Sequence, residues 1–237
     1  MIKESNLVKN IKPFVTAKKI SKSYGNNNNV VVLNNASIDL FRGEFLSISG
    51  PSGCGKTTLL MILGCLMNPD NGEVKIDNFD PYKIKPSDRA KVRSEFIGFI
   101  FQDFKLIPYL NVMENIRCSA LPLGQISVND KLEKLLSILK LDHRRLHVPS
   151  QLSAGEKQRT AIARALITKP KIILADEPTG SVDPVTSRSI LNLFREIIDE
   201  VGVSFLIVTH SREVAGFADR SLELVDGRFV AEHGTGI

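Results

Sequence analysis

Residues 50–58 constrain the fold of this chain more than any other segment. They fit the spacing GxxxxGK[ST], and they lie between a β-type run, Phe45–Ser49, and a helical pattern that begins at Lys56. In that context the glycines allow tight backbone bends, and the free amides at the helix start converge on a phosphate group. The nucleotide-binding residues that this P-loop predicts are Gly50, Pro51, Ser52, Gly53, Cys54, Gly55, Lys56, Thr57 and Thr58.

An apolar run at residues 172–175 reads as a buried strand and ends in two carboxylates, Asp176 and Glu177. Ligands bind at the carboxyl ends of the strands in open α/β sheets, so both side chains are expected beside the P-loop. We expect Asp176 and the hydroxyl of Thr57 to hold Mg²⁺, while Lys56 adds a positive charge to the β- and γ-phosphates. Glu177 is placed to polarise a water molecule for in-line attack on the γ-phosphate.

A third motif, Leu152–Glu156, opens another predicted helix. Ser153 and Glu156 have the spacing of a capping box, in which each side chain binds the backbone of the other residue. A helix that begins with Ser153, Ala154 and Gly155 also presents free amides to an anion. Two phosphate-binding helix starts in one chain suggest that two chains share a nucleotide head to tail.

The composition is that of a globular protein without a membrane-spanning helix. The 237 residues are 43% apolar and 24% charged, which excludes a largely disordered chain. The longest apolar uncharged stretch, Thr57–Pro69, is shorter than the about 20 residues that a membrane helix needs. Three cysteines without a CxxC spacing favour a reduced cytoplasm. The net charge of +5 is dispersed along the chain, and we therefore expect no nucleic-acid partner.

Short β-type runs alternate with helical ones, which predicts an α/β fold. Strands are expected at Phe14–Ile20, Val30–Leu33, Ser37–Phe41, Phe45–Ser49, Glu73–Ile76, Phe96–Phe101, Ile172–Ala175, Val203–Val208, Ser221–Val225 and Phe229–Glu232. Helices are expected at Lys56–Met67, Ser87–Ser94, Val112–Ala120, Val128–Leu139, Ala154–Thr168, Pro184–Val201 and after Ser211. The asparagine run at 26–29 is expected to form a loop, and Asp226–Gly227 a hairpin turn.

The ordered set of motifs resembles the ATP-binding cassette (ABC) ATPase family over residues 14–231. Residues 50–58 match its Walker A motif, Leu152–Glu156 its signature and Ile172–Glu177 its Walker B strand. The resemblance assigns further roles. Tyr24 stacks on adenine, Gln102 of the Q-loop senses Mg²⁺ and the γ-phosphate, Asp183 lies in the D-loop, and His210 is the switch histidine. It thus implies Glu177, His210 and Gln102 as catalytic residues, and Thr57, Gln102 and Asp176 as magnesium ligands.

Two positions depart from the usual signature, which reads LSGGQ in the family and Leu-Ser-Ala-Gly-Glu here. Ala154 adds a methyl group, and Glu156 adds a carboxylate near a helix start that should face the partner's γ-phosphate. If Glu156 folds back into its capping box, little is lost; if it points outward, ATP-driven closure weakens. A smaller departure is Ser211, which stands where an aspartate often follows the histidine.

The finer resemblance is to the subfamily that serves lipoprotein release, macrolide-type export and FtsE-type cell division. It is carried by the stretches Ile97–Gln102, Leu106–Ile116, Pro149–Ser153 and Ala175–Gly180. Members of that subfamily pair with membrane permeases. The resemblance therefore implies an ATP-hydrolysing subunit on the inner face of the cell membrane, held there through its permease.

The expected architecture is a single ABC ATPase domain over residues 1–237. A P-loop NTPase (RecA-like) core with an antiparallel β subdomain is expected at 14–102 and 160–237. An inserted α-helical subdomain that carries the signature is expected at 103–159. The expected partners are ATP with Mg²⁺, a permease and a second copy of the chain.

Two other functions remain open from the sequence. The altered signature is compatible with a regulatory or scaffolding subunit that binds ATP and barely hydrolyses it. A soluble DNA-associated ATPase with the same cassette would carry long heptad arms between Walker A and the signature. Here that interval holds a proline-broken helical segment of about fifty residues, which disfavours this alternative.

Overall fold

A computed structural model of the chain describes residues 12–25, 30–123 and 128–234. The strands in these ranges are β1 Val15–Tyr24, β2 Val30–Leu40, β3 Phe45–Ser49, β4 Asn71–Ile76, β5 Ile97–Ile100, β6 Ile172–Asp176, β7 Ser204–Val208, β8 Arg220–Val225 and β9 Arg228–Gly234. The α-helices are α1 Lys56–Leu63, α2 Pro86–Phe96, α3 Val112–Arg117, α4 Asn129–Ile138, α5 Ala154–Leu166, α6 Pro184–Val201 and α7 Arg212–Phe217. The predicted loop at 26–29 lies outside the described residues.

The larger sheet has six strands in the order β5-β6-β7-β3-β8-β9. All neighbours are parallel except β8 and β9, which form the predicted antiparallel hairpin through Asp226 and Gly227. β3, β6 and β7 are apolar and buried along nearly their whole length, as expected for parallel strands covered on both faces. Because β3, β6 and β7 run in the same direction, their carboxyl ends meet at one edge of the sheet.

The smaller sheet is antiparallel, in the order β2-β1-β4. β2 is a single strand, so the two strands predicted at Val30–Leu33 and Ser37–Phe41 were wrong as separate elements. The register between β1 and β2 shifts at three places, and Lys19 and Asn35 take positive φ values of 53° and 55°. The strand therefore continues through the interval between the two predicted strands, with irregular pairing in place of a turn.

α1 ends earlier than the sequence predicted, at Leu63 instead of Met67. Gly64 closes the helix, and Cys65 follows with a positive φ of 59°. A Cβ on Gly64 would lie 2.0 Å from the ring of Phe99. The helix therefore passes β5 so closely that only glycine fits at its end.

The six-stranded sheet is covered by two hydrophobic cores. One core contains buried residues of α3, α4, α5 and α6 together with Phe205 of β7. The other contains α1, the small sheet and residues such as Leu46 of β3. α3 is shorter than predicted, because the chain continues from Cys118 to Leu123 as a 3-10 helix. The predicted boundary between the helical subdomain and the core, at residues 159 and 160, lies within α5. The division into subdomains stays a prediction.

Candidate active site at the carboxyl edge of the sheet

The loop between β3 and α1 is packed too tightly for side chains at two of its glycines. A Cβ on Gly50 would lie 2.1 Å from the Leu224 carbonyl oxygen, and one on Gly55 would lie 2.5 Å from that of Val32. Gly55 also has a φ of 105°, which strains any other residue. β8 and β2 thus hold the loop from two sides.

The start of α1 keeps its backbone amides available. Its N-cap, Gly55, has no side chain to accept from them, and the first turn carries no acidic residue. The Lys56 ammonium donates to the carbonyl oxygens of Gly50 (2.7 Å) and Pro51 (2.9 Å), so the loop curls around it. A helix start with free amides and an adjacent ammonium is an anion-binding site. Within this loop the side chains of Pro51, Ser52 and Thr57 are exposed, that of Thr58 is partly buried and that of Cys54 is buried.

Thr57 and Asp176 come together at the edge of the sheet although 119 residues separate them. The Thr57 hydroxyl donates to Oδ2 of Asp176 over 3.0 Å. Burial raises the pKa of the Asp176 carboxyl, an effect that the Thr57 hydrogen bond and the charge of Lys56 oppose and that of Glu177 reinforces. A half-buried carboxylate beside a hydroxyl is a suitable oxygen-ligand pair for Mg²⁺.

Glu177 is the centre of a hydrogen-bonded group at the same edge. Its Oε2 accepts from the hydroxyl of Thr209 (3.0 Å), and its Oε1 lies 2.7 Å from Nδ1 of His210. Glu177 has a φ of 46°, an uncommon value for a non-glycine residue, and its side chain is only 12% exposed. His210 is 71% exposed, so its ring lies between the Glu177 carboxylate and solvent.

Gln102 follows β5 at the same edge, and its side chain is exposed. Its amide nitrogen lies 3.9 Å from the position that a Cβ on Gly180 would take, and its carbonyl oxygen accepts from the Ser181 hydroxyl over 3.4 Å. Gln102 therefore lies beside the turn that follows Glu177. No hydrogen bond from the Gln102 side chain to Asp176 is observed among the described residues.

Tyr24 ends β1 and presents its ring to solvent. The ring is 40% exposed, and its hydroxyl contacts the sulfur of Met67 over 3.0 Å. The ammonium of Lys22 lies 5.9 Å from the ring centre and pairs with Asp70. The small sheet carries Tyr24 on β1 and contacts the P-loop through Val32 on the neighbouring β2.

The predicted signature lies at the start of α5, and its capping box is present. Ser153 accepts from the Glu156 amide (3.3 Å), and Glu156 Oε2 accepts from the Ser153 amide (2.8 Å). Burial favours the neutral form of Glu156, yet hydrogen bonds from Ser153 and Arg144 lower its pKa to about 2. Of the two orientations considered for Glu156, the structure has the folded-back one. Ala154 is exposed and leaves the helix start accessible.

Asp183 caps α6 next to the start of α5. Its Oδ1 accepts from the amides of Val185 and Thr186, each over 3.0 Å. A Cβ on Gly155 would lie 2.9 Å from Cγ2 of Thr186, so the starts of the two helices touch. Apart from Tyr24 on the small sheet, the predicted residues therefore form two groups, one at the edge of the large sheet and one where α5 and α6 begin.

A family model described as "ABC transporter" matches residues 33–180, which include most of β2, the P-loop, Gln102, Ser153–Glu156 and Asp176–Glu177. The chain belongs to the ABC transporter family. Its fold is the P-loop NTPase fold of ABC cassettes, and the chain is an ATPase of that family.

Among curated ABC proteins, the chain is similar to lipoprotein-releasing system ATP-binding proteins. It is 41% identical to LolD 1 of Rhodopirellula baltica over 226 residues, covering 94% of this chain and 99% of that protein. It is 44% identical to LolD of Porphyromonas gingivalis over 220 residues, covering 92% and 99%. It is 40% identical to MJ0796 of Methanocaldococcus jannaschii, an ABC transporter ATP-binding protein described as uncharacterised, covering 92% and 96%.

Solved ABC cassettes have the same fold. A dimeric structure of MJ0796 in a post-hydrolysis state with ADP and Pi superimposes with a TM-score of 0.87 at 38% identity, covering 94% of this chain and 99% of that one. The cbiO1 cassette of Clostridium perfringens superimposes with a TM-score of 0.84 at 25% identity, covering 94% and 88%. Across the described ranges, no helix combines the length and the apolar character needed to cross a membrane.

Sequence reasoning missed two residues of this ABC ATPase site. Thr209 is fully buried and donates to Glu177, and the signal that could have found it is its position between β7 and His210. Arg144 binds Glu156 from a 3-10 turn twelve residues earlier, and no periodic pattern links the two positions. The structure was needed to reveal both contacts.

Proposed function

We propose that this chain hydrolyses ATP to drive a lipoprotein-releasing type of permease, and that the residues at the sheet edge perform the hydrolysis. The observation that carries the proposal is the Glu177 carboxylate. It is held by Thr209 and His210 beside the Thr57–Asp176 pair. The names of the LolD relatives support the lipoprotein-releasing assignment.

Nucleotide binding follows from the start of α1. The free amides of its first turn and the Lys56 ammonium take the β- and γ-phosphates, because the loop supplies no competing carboxylate. The exposed ring of Tyr24 provides a face on which the adenine base stacks. These contacts orient the terminal phosphate toward the carboxyl ends of β6 and β7.

Hydrolysis needs a base beside the terminal phosphate, and Glu177 supplies it. Its carboxylate takes a proton from a water molecule whose oxygen attacks the γ-phosphorus, while the bond to the β–γ bridging oxygen breaks and ADP leaves. The Thr209 hydroxyl and the His210 ring fix both carboxylate oxygens, which directs the basic lone pair. His210 is exposed enough to contact the γ-phosphate as well.

Thr57 and Asp176 fit a magnesium ion that arrives with ATP, since both offer hard oxygen ligands at one point of the sheet edge. When bound there, Mg²⁺ neutralises charge on the phosphates. Gln102 belongs to the same edge and completes the set of polar groups around the nucleotide.

The start of α5 contacts the nucleotide that is bound by a second copy of the chain. The Ser153 hydroxyl accepts from the Glu156 amide and keeps its own hydrogen free to donate, and the side chain is exposed. In a head-to-tail dimer this hydroxyl and the amide of Gly155 contact the γ-phosphate bound by the partner. The dimeric MJ0796 structures support this assembly.

A groove beside Gln102 suits the permease. Its volume is about 430 Å³, and its lining includes Leu66, Phe99, Phe101, Lys105, Ile107 and Arg164. Arg164 donates to the carbonyl oxygens of Phe104 and Lys105, which fixes the segment that follows Gln102. We expect changes at the nucleotide to reach this groove through Gln102, because that residue directly follows Phe101 of the lining. A permease bound there would hold the chain on the cytoplasmic face of the cell membrane.

The proposal is tested by the solution mass of Glu177→Gln with and without Mg-ATP, with Glu95→Gln as the control. Glu95 is an exposed acid of α2, away from the sheet edge. Glu177→Gln should shift from monomer to dimer with Mg-ATP, because nucleotide binds and is not consumed. Ser153→Arg in the same background should abolish the shift.

Turnover of the complex with its permease tests the remaining alternative. A scaffolding subunit would turn over ATP no faster than Glu177→Gln, whereas we expect a large difference. The scaffolding alternative was based on the altered signature. Because Glu156 folds back into its capping box, that alteration gives little reason to expect weak hydrolysis.

A further inference from the structure

The signature of this chain carries a negative charge at the helix start that should receive a partner's γ-phosphate. Two donors hold the Glu156 carboxylate, one on each oxygen. Oε2 accepts from the Ser153 amide over 2.8 Å, and Oε1 accepts from Nε of Arg144 over 2.7 Å. The side chain is 14% exposed, so the carboxylate is turned toward its own chain.

Arg144 is held in place for this contact. It lies in the 3-10 turn Asp142–Arg144, its side chain is 35% exposed, and its Nη1 lies 3.2 Å from Nε2 of His147. His143 is a further neighbour, with its Nε2 3.6 Å from Oε1 of Glu156 and its side chain 63% exposed. Arg144 is therefore the permanently charged cation that pairs with the Glu156 carboxylate.

The capping box alone would hold only one carboxylate oxygen. Without Arg144 the other oxygen would be free, and the uncompensated charge would lie at a helix start that must accept a phosphate group. Like charges repel, and the repulsion grows as the dimer closes and excludes water.

We propose that Arg144 is a positioning residue for nucleotide-driven dimerisation, because it holds the Glu156 carboxylate away from the anion-binding start of α5. The inference rests on the proposed function, in which that helix start contacts a second copy's nucleotide. Arg144 acts through Glu156, so its importance depends on a negative charge at position 156.

The test is a double-mutant cycle in the Glu177→Gln background, with the monomer–dimer dissociation constant measured in Mg-ATP. Arg144→Gln should weaken dimerisation about 10-fold, the typical effect of losing one charge-assisted hydrogen bond. Glu156→Gln should restore most of that loss, because the neutral amide no longer repels phosphate. The second substitution separates positioning from a general structural role.

Arg145→Gln is the matched control. Arg145 lies next in the chain and pairs with Glu133 and Asp142 instead of Glu156. It should leave dimerisation unchanged. The affinity of each monomer for Mg-ATP should also stay unchanged, which shows that the variants are folded.

Three results overturn the inference. One is an Arg144→Gln protein that dimerises like its parent. Another is a loss that persists undiminished with Gln at position 156, which would mean that Arg144 acts structurally or on the phosphate itself. A Glu177→Gln parent that stays monomeric in Mg-ATP would overturn the dimer model first and this role with it.

Discussion

Asp176 at the sheet edge and Glu156 at the start of α5 are two partly buried carboxylates with opposite electrostatics. Burial raises the pKa of Asp176, and the donor that it meets among the described residues is the neutral hydroxyl of Thr57. Burial acts on Glu156 in the same direction, but the Ser153 amide and the Arg144 guanidinium lower its pKa to about 2. The sheet edge is thus left ready for a cation, whereas the helix start is neutralised within the chain before an anion arrives.

The largest expected effect concerns the base at the sheet edge. Glu177→Gln should lower ATP turnover by about 10²- to 10⁴-fold, the usual contribution of a general base. Nucleotide affinity should change little, since the P-loop contacts remain. Steady-state phosphate release with a parallel binding titration measures both quantities, and a variant with unchanged turnover would remove Glu177 from the mechanism.

Asp176→Asn separates function from stability at the same edge. Loss of the magnesium ligand should lower turnover by about 100-fold. The pKa of Asp176 is raised in the folded state, so its ionised form destabilises the folded apoprotein at neutral pH. This destabilisation disappears below the pKa that the carboxyl has in the unfolded chain, because the group is then protonated in both states. The apo variant should therefore be more stable than the parent at pH 7 and not at pH 3. Thermal unfolding at the two values checks this sign, and a variant less stable at pH 7 would contradict it.

Thr209→Val tests the buried support of the base. The substitution keeps the shape and removes the hydrogen bond to the charged Glu177, which typically contributes about 1.5–3 kcal/mol. It also removes the hydrogen bond that the hydroxyl accepts from the Ser211 amide. We expect the turnover number to fall about 10-fold while the KM for ATP stays nearly constant. A rise in KM alone would instead place Thr209 in nucleotide binding.

The smallest effect is on stability at the helix start. Glu156 has a pKa that is lower in the folded state than in the unfolded state, so its ionised form stabilises the protein above about pH 4.5, and this stabilisation is lost as the pH falls toward about 2. Glu156→Gln should be slightly less stable than the parent at pH 7, the opposite sign to Asp176→Asn. The difference in urea unfolding free energy should shrink below pH 4.5, and a constant difference would refute the electrostatic cause.

The elements that the sequence predicted best are those with local causes. The start of α1 at Lys56 and the capping box of α5 depend on residues within one turn of each other, and both are confirmed. The meeting of Thr57 and Asp176 was also predictable, because carboxyl ends of parallel strands share one edge.

Contacts that depend on how particular side chains and strands pack, and not on the common direction of parallel strands, were not predictable. The end of α1 at Leu63 depends on the ring of Phe99, and the continuity of β2 depends on its register with β1. The Arg144–Glu156 pair joins a 3-10 turn to a helix.

The contacts of Lys56 bear on the thermodynamics of nucleotide binding. Its ammonium has three hydrogens to donate, and two hydrogen bonds join it to the carbonyl oxygens of Gly50 and Pro51. The third hydrogen faces the sulfur of Cys54 over 3.9 Å, a long contact to a weak acceptor that a phosphate oxygen readily replaces. The loop thus keeps its curvature through its own lysine, and this third donor can turn to phosphate. The conformational entropy of ordering the loop is lost during folding and not at the moment of association. Preorganisation of this kind leaves more of the phosphate contact energy to appear as affinity.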